Sequence, residues 1–149
     1  MGRPETRMNY TIEILPDTFS ICRLAPDAIL PEWAQGDFVS ITRTPRELSV
    51  VCRRGAVPND VRCDTGWKCL RLAGQFDLTK VGVLASLTEP LAVANVSVFV
   101  IGTFDTDYLL VKNACLDSAI KALEEAGHSI HSPYAHVKHD RPLEEHVDG

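Results

Sequence analysis

Apolar and polar positions along this chain change their period several times, and each change predicts an element. Tyr10 to Leu15 and Phe19 to Leu24 are short runs rich in Ile, Phe and Leu on either side of Pro16-Asp17, which predicts two strands joined at a turn. Ile29, Leu30 and Trp33 have near-helical spacing, and Pro31 limits them to a short helix before Gly36. Phe38 to Thr42 and Leu48 to Cys52 read as strands about the polar turn Arg43-Thr44-Pro45-Arg46, and Arg53 to Gly66 as a polar connector. Trp67 to Ala73 predicts a further strand. Thr79 is the expected N-cap of a helix whose apolar positions are Val81, Leu84, Leu87 and Leu91, with Pro90 bending it or ending it early. Val96 to Ile101 and Asp107 to Val111, linked by Gly102 to Thr106, predict a hairpin. Asn113 is then placed to cap a helix with Leu116, Ala119, Ile120 and Leu123 on one face and Gly127 just past its end. Ser129 to His131 adds an edge strand, and from Ser132 the sequence turns polar.

The two hairpins superpose without a gap at an offset of 60 residues. Phe38-Val39-Ser40-Ile41 falls on Val98-Phe99-Val100-Ile101, and Leu48-Ser49-Val50-Val51 on Tyr108-Leu109-Leu110-Val111. The order strand, helix, strand, strand, helix, strand in the second half is a split βαβ unit, and the first half is a reduced copy of it. The expected class is therefore α+β, with two small βαββαβ units of ferredoxin-like type: a lead over 1–9, a first unit with its connector over 10–62, a second unit over 63–131 and a polar tail over 132–149.

Composition narrows the function classes. With 15 Lys+Arg against 20 Asp+Glu the formal charge is −5, and no basic patch stands out, so nucleic acid is not an expected partner. No apolar run reaches membrane-spanning or leader length, so a membrane is not expected either and a cytoplasmic location is. The five cysteines (Cys22, Cys52, Cys63, Cys69, Cys115) are odd in number and lack C-x-x-C spacing, and read as reduced thiols.

Catalysis finds little support. All five histidines (His128, His131, His136, His139, His146) lie in the last 22 residues, after the last predicted helix, which is a poor place for the base that a cysteine or serine nucleophile needs. Their two H-x-x-H pairs could chelate a metal weakly, but no acidic or thiol ligand completes a site, so they read as a solvated tail and no metal or cofactor is expected. The chain reads as a non-enzyme. A more informative pairing joins the start of the first long helix to the hairpin link. A helix start offers unpaired N–H groups and partial positive charge, which suit a carboxylate. Gly82 would allow close approach, while Thr103, Asp105, Thr106 and Asp107 would supply hydroxyls and acidic groups for an ammonium.

At these residues the sequence resembles the ACT domain family of small βαββαβ regulatory modules. The stretches carrying the resemblance run from Thr79 to Ala92 and from Val96 to Val111, and the pattern is that of the aspartate-kinase type, closest to small stand-alone bacterial proteins with two ACT-like repeats. The resemblance implies an amino acid or similar small zwitterion bound at an interface between units. Its contacts would be Gly82, Val83 and Leu84 on one side and Ile101, Gly102, Thr103, Phe104, Asp105, Thr106 and Asp107 on the other. It also implies a homodimer and a regulated protein partner that the sequence does not identify. Gly102 stands where many relatives carry Ser. That departure, with the degenerate first repeat, supports an alternative in which the fold serves as a ligand-free structural or interaction protein.

Overall fold

The computed structural model describes residues 9–74 and 81–132, and the chain falls into two compact units. Strands β1 (Thr11–Leu24) and β4 (Cys63–Leu72) each contribute to both. Among the described residues, unit 1 combines those up to Pro16 with those from Leu70 onward, and unit 2 is Asp17–Cys69. The division therefore differs from a cut between residues 62 and 63: the N-terminal strand segment joins the C-terminal unit.

Unit 1 also holds helix α1 (Val83–Val93), strands β5 (Phe99–Gly102) and β6 (Asp107–Lys112), helix α2 (Leu116–Glu125) and strand β7 (Ser129–His131). Its strands lie in the order β7-β1-β4-β6-β5. β7 runs parallel to β1, with Ile12 opposite Ile130, and β5 and β6 form the expected antiparallel hairpin, with Gly102 opposite Asp107. The βαββαβ pattern is thus present with one strand added: the start of β1 separates β7 from β4. The core combines strand residues Ile12, Ile14, Leu70, Leu72, Leu109 and Val111 with helix residues Val83, Leu87, Leu91, Ala119 and Leu123. Period-2 burial on the strands meets period 3.6 on the helices, which is how an α+β layer forms.

Both helices end in the same device. At α2, the His128 N–H reaches the Leu123 carbonyl (3.0 Å) and the Gly127 N–H reaches that of Glu124 (2.9 Å); at α1, Val96 and Asn95 do the same to Leu91 and Ala92 (2.9 Å each). These are Schellman motifs, which need a left-handed residue after the cap, supplied by Gly127 at φ +103 and Asn95 at φ +63. A Cβ on Gly127 would also fall 2.7 Å from Asn9 Oδ1. The start of α2 departs from expectation. Asn113–Cys115 is a 3₁₀ turn, and no side chain caps the helix at Cys115.

Unit 2 holds β2 (Ser40–Arg43), β3 (Leu48–Arg53) and their share of β1 and β4, in the order β2-β3-β1-β4, over a small core of Cys22, Leu48, Val50 and Cys52. Asp27–Ala34 is a run of turns, not a short helix. Ala28, Trp33 and Ala34 pack on the core while Ile29 is 88% exposed, and the Arg43 guanidinium binds the carbonyls of Pro26 and Ala28. The expected connector ends sooner than its polarity suggests, because Cys63–Gly66 already belongs to β4.

Neither Pro16 nor Pro90 ends its element. β1 runs through Pro16-Asp17 without a turn. Its pairing with β7 covers Thr11–Glu13 and its pairing with β3 covers Phe19–Leu24, so the missing proline N–H breaks no ladder bond with either strand. Pro90 lies inside α1, which continues to Val93.

Candidate functional site

Helix α1 starts later than the sequence suggests, at Val83, with Gly82 as its N-cap at φ +86. Thr79, the expected cap, lies outside the described residues. Val81 is 91% exposed, so it does not belong to the apolar face, and Val83 takes the buried place with Leu87 and Leu91. The positive φ explains the glycine better than helix-interior flexibility does, and a Cβ there would meet no atom within 4 Å. The first bond back to the cap is from Ser86 N–H to Gly82 C=O (3.1 Å), which leaves the N–H groups of Val83, Leu84 and Ala85 without intrahelical acceptors. Val83 can offer only its backbone to a ligand, because its side chain is core; Leu84 is exposed.

The β5–β6 link is built by threonine. Thr103 donates its N–H (2.8 Å) and its hydroxyl (2.9 Å) to the Thr106 carbonyl and accepts the Thr106 N–H on that hydroxyl (3.2 Å). Thr106 is buried, and its hydroxyl donates to the Leu72 carbonyl at the end of β4 (2.8 Å). Both hydroxyls expected to serve a ligand therefore donate to backbone carbonyls, that of Thr103 within the link and that of Thr106 at the end of β4. Phe104 and Asp105 are exposed, Ile101 and Asp107 half-buried. A Cβ on Gly102 would come 3.3 Å from Asp107 Oδ1, so the glycine leaves that carboxylate uncrowded. All ten expected residues lie in unit 1. Thr106 fastens the link to the end of β4, and Val83 belongs to the same buried cluster as Leu72.

Beside the link, Arg71 bonds Glu13 (2.8 Å). Partial burial pulls the guanidinium pKa down, but hydrogen bonds to Tyr108 and Glu13 outweigh it and raise the net value.

Sequence reasoning missed His128. It is 5% exposed and stacks on Tyr10 at 5.7 Å between ring centroids. Its Nδ1 accepts the Tyr10 N–H (3.0 Å), which fixes the proton on Nε2, and Nε2 lies 3.0 Å from the Ser86 carbonyl. Ser86 is four residues before Pro90, so this carbonyl is the one the proline leaves without a helical donor. His128 supplies that donor, which corrects the reading of all five histidines as a solvated tail. His136, His139 and His146 lie outside the described residues.

His128 also lines a groove of about 630 Å³ with Ser86, Glu89, Pro90, Val93 and, on the α2 side, Ala122 and Glu125. Its charged groups are carboxylates, so it offers nothing to a ligand's carboxylate end. Among the described residues, no group of three or more His, Cys, Asp or Glu side chains is placed to hold a metal ion, and no helix is long and apolar enough to cross a membrane.

The profile of the ACT domain family matches residues 62–125, and a second profile, described as an N-terminal domain, matches 17–60. The crystal structure of protein Atu0741 from Agobacterium tumefaciens is 40% identical, with a TM-score of 0.80 over 84% of this chain and 94% of that one. The human cytosolic arginine sensor for mTORC1 subunit 1 is 34% identical over 59 residues, which is 39% of this chain and only 18% of the sensor's length. The regulatory subunit of aspartate kinase from Thermus thermophilus shares the fold at 10% identity, with a TM-score of 0.57 over 77% of this chain and 96% of that one. Matching profile, hairpin and helix arrangement agree: over residues 62–125 the chain carries a domain of the ACT family.

Proposed function

We propose that this protein is a non-catalytic regulatory or sensor module that binds an amino acid or similar small zwitterion in unit 1. The observation that carries the reading is the start of α1, where left-handed Gly82 is the N-cap and the next N–H groups have no acceptor within the helix. The ligand carboxylate sits on the N–H groups following Gly82, held by hydrogen bonds and the positive end of the helix. Its ammonium is received by Asp107 and Asp105 from the β5–β6 link. Val83 contributes backbone only, and Thr103 and Thr106 shape the link without touching the ligand. Kinship with an arginine sensor and with aspartate kinase regulatory subunits supports this class of ligand. Binding shifts the population of arrangements open to the module, and so its contact with a cytoplasmic protein partner.

A panel of the common amino acids in a thermal-shift assay tests this. Ligand at 100 times its Kd adds about 2.7 kcal/mol to folded-state stability, enough to raise Tm by several degrees. Asp107→Ala should abolish that shift while leaving the unliganded Tm nearly unchanged. A panel in which no member moves Tm would defeat the reading.

One observation favours a second reading, a protein-interaction role without ligand: Val81, Leu84 and Phe104, at the rim of the same site, are exposed apolar residues, Phe104 by 79%. In that case the protein forms a homodimer that Phe104→Asp dissociates in light scattering, and the amino-acid panel is silent.

A further inference from the structure

The geometry points to an oxidation site in unit 2 that nothing in the ACT fold requires: Cys22 and Cys63 are a cross-strand thiol pair that a peroxide converts to a disulfide. On adjacent strands β1 and β4, the Arg23 N–H donates to the Arg62 carbonyl (3.0 Å), and the Ser20 and Thr65 hydroxyls share a hydrogen bond (2.7 Å). These contacts fix an antiparallel register in which Cys22 lies opposite Cys63, at a position that does not exchange ladder bonds. Such pairs have Cα atoms about 4.5 Å apart, at the short end of the disulfide range of about 4.4–6.8 Å. After burial, the neighbouring Cys63 side chain is the next cause that raises the Cys22 thiol.

Their surroundings divide the chemistry. Cys63 is exposed at the start of β4 and Cys22 is buried. Burial is the main cause pushing the Cys22 thiol up to about 12, so it does not react first. The Cys63 thiolate attacks one peroxide oxygen and breaks the O–O bond, giving the sulfenic acid, and the leaving hydroxide takes up the proton that the thiol shed, as water. The Cys22 sulfur then attacks the sulfenic sulfur, and the thiol proton leaves with the hydroxyl as a second water. Two thiols are oxidised by two electrons and one hydrogen peroxide is reduced to two waters. Cys52, on the other side of β1, lies opposite Ser20, one step off the pair.

Exposure of the full-length protein to hydrogen peroxide, followed by unfolding and thiol titration, should show loss of two of its five thiols, with peptide mapping joining Cys22 to Cys63 and dithiothreitol restoring both. In Cys22→Ala, Cys63 should persist as a sulfenic acid that dimedone captures. Should that variant fail to fold, Cys63→Ser, altered on the exposed side, should retain all its remaining thiols under the same treatment. Five surviving thiols in the wild type would overturn the proposal. So would a Cys22–Cys52 link, a Cys63–Cys63 link between chains, or dimedone capture as strong in the wild type as in Cys22→Ala.

Discussion

His128 holds together three parts of unit 1 that no local pattern connects. It accepts the Tyr10 N–H before β1, stacks on the Tyr10 ring and donates to the Ser86 carbonyl in α1, while its own N–H closes the end of α2. His128→Ala orphans a buried donor and an acceptor, each costing about 1–3 kcal/mol, and should lower stability by about 3 kcal/mol in chemical denaturation. Pro90 makes that account specific. In a Pro90→Ala background a helical N–H can reach Ser86, so loss of His128 should cost about 1 kcal/mol less there than in the wild type. Equal costs in both backgrounds would show that the Ser86 bond contributes nothing. A histidine near the end of a polar-looking segment gives no sign of this role in sequence. The nearest signal is a proline in an amphipathic helix, which implies an orphaned carbonyl and hence a donor from elsewhere.

At the scale of elements, the apolar periodicity located both helices of unit 1 and its hairpin, because burial on one face is the force that forms them. It misjudged boundaries wherever backbone bonding decides. The two hairpins show this well. Matching apolar residues gives an offset of 60, whereas β2 with β5, β3 with β6, and the 3₁₀ turns Arg54–Ala56 and Asn113–Cys115 all correspond at 59. Thr44 and Thr103 stand at the same offset, each closing its hairpin link by the same hydroxyl and backbone bonds to Glu47 or Thr106. Apolar alternation is degenerate to a slip of one residue when several neighbours are all apolar, while a turn is not. Pro16 and Pro90 misled for a related reason: a proline ends an element only where the bond it removes is needed and finds no substitute, and that depends on strands and side chains distant in sequence.

For the whole molecule, unit 2 is an insertion between Pro16 and Leu70 of unit 1, and local sequence cannot announce that the first strand belongs with the last. The candidate site was legible as far as its backbone elements, Gly82 and the hairpin link. The commitment of Thr103 and Thr106 to the link was not, because hydroxyls suited to a ligand suit a turn equally well. Global stability should carry an alkaline signature from the buried thiols. Burial lifts Cys69 from near 9 to about 12, the Lys68 charge only partly opposing it. Below pH 9 the thiol is protonated whether folded or unfolded, and stability is unaffected. Between 9 and 12 the unfolded chain loses the proton that the native state keeps, so stability should fall with rising pH by about 1.4 kcal/mol per unit for each such thiol. Denaturant titrations across this range should show that decline, with a shallower slope in Cys69→Ala.

The central claim, that unit 1 binds a zwitterion at the start of α1, is tested most directly by following backbone amide resonances during titration with the amino acids. The account predicts saturable shifts for at least one of them, concentrated at the amides of Gly82 to Ser86 and of Gly102 to Asp107. Shifts confined to the groove around Glu89, Val93 and Glu125, or no saturable shift with any amino acid, would contradict it.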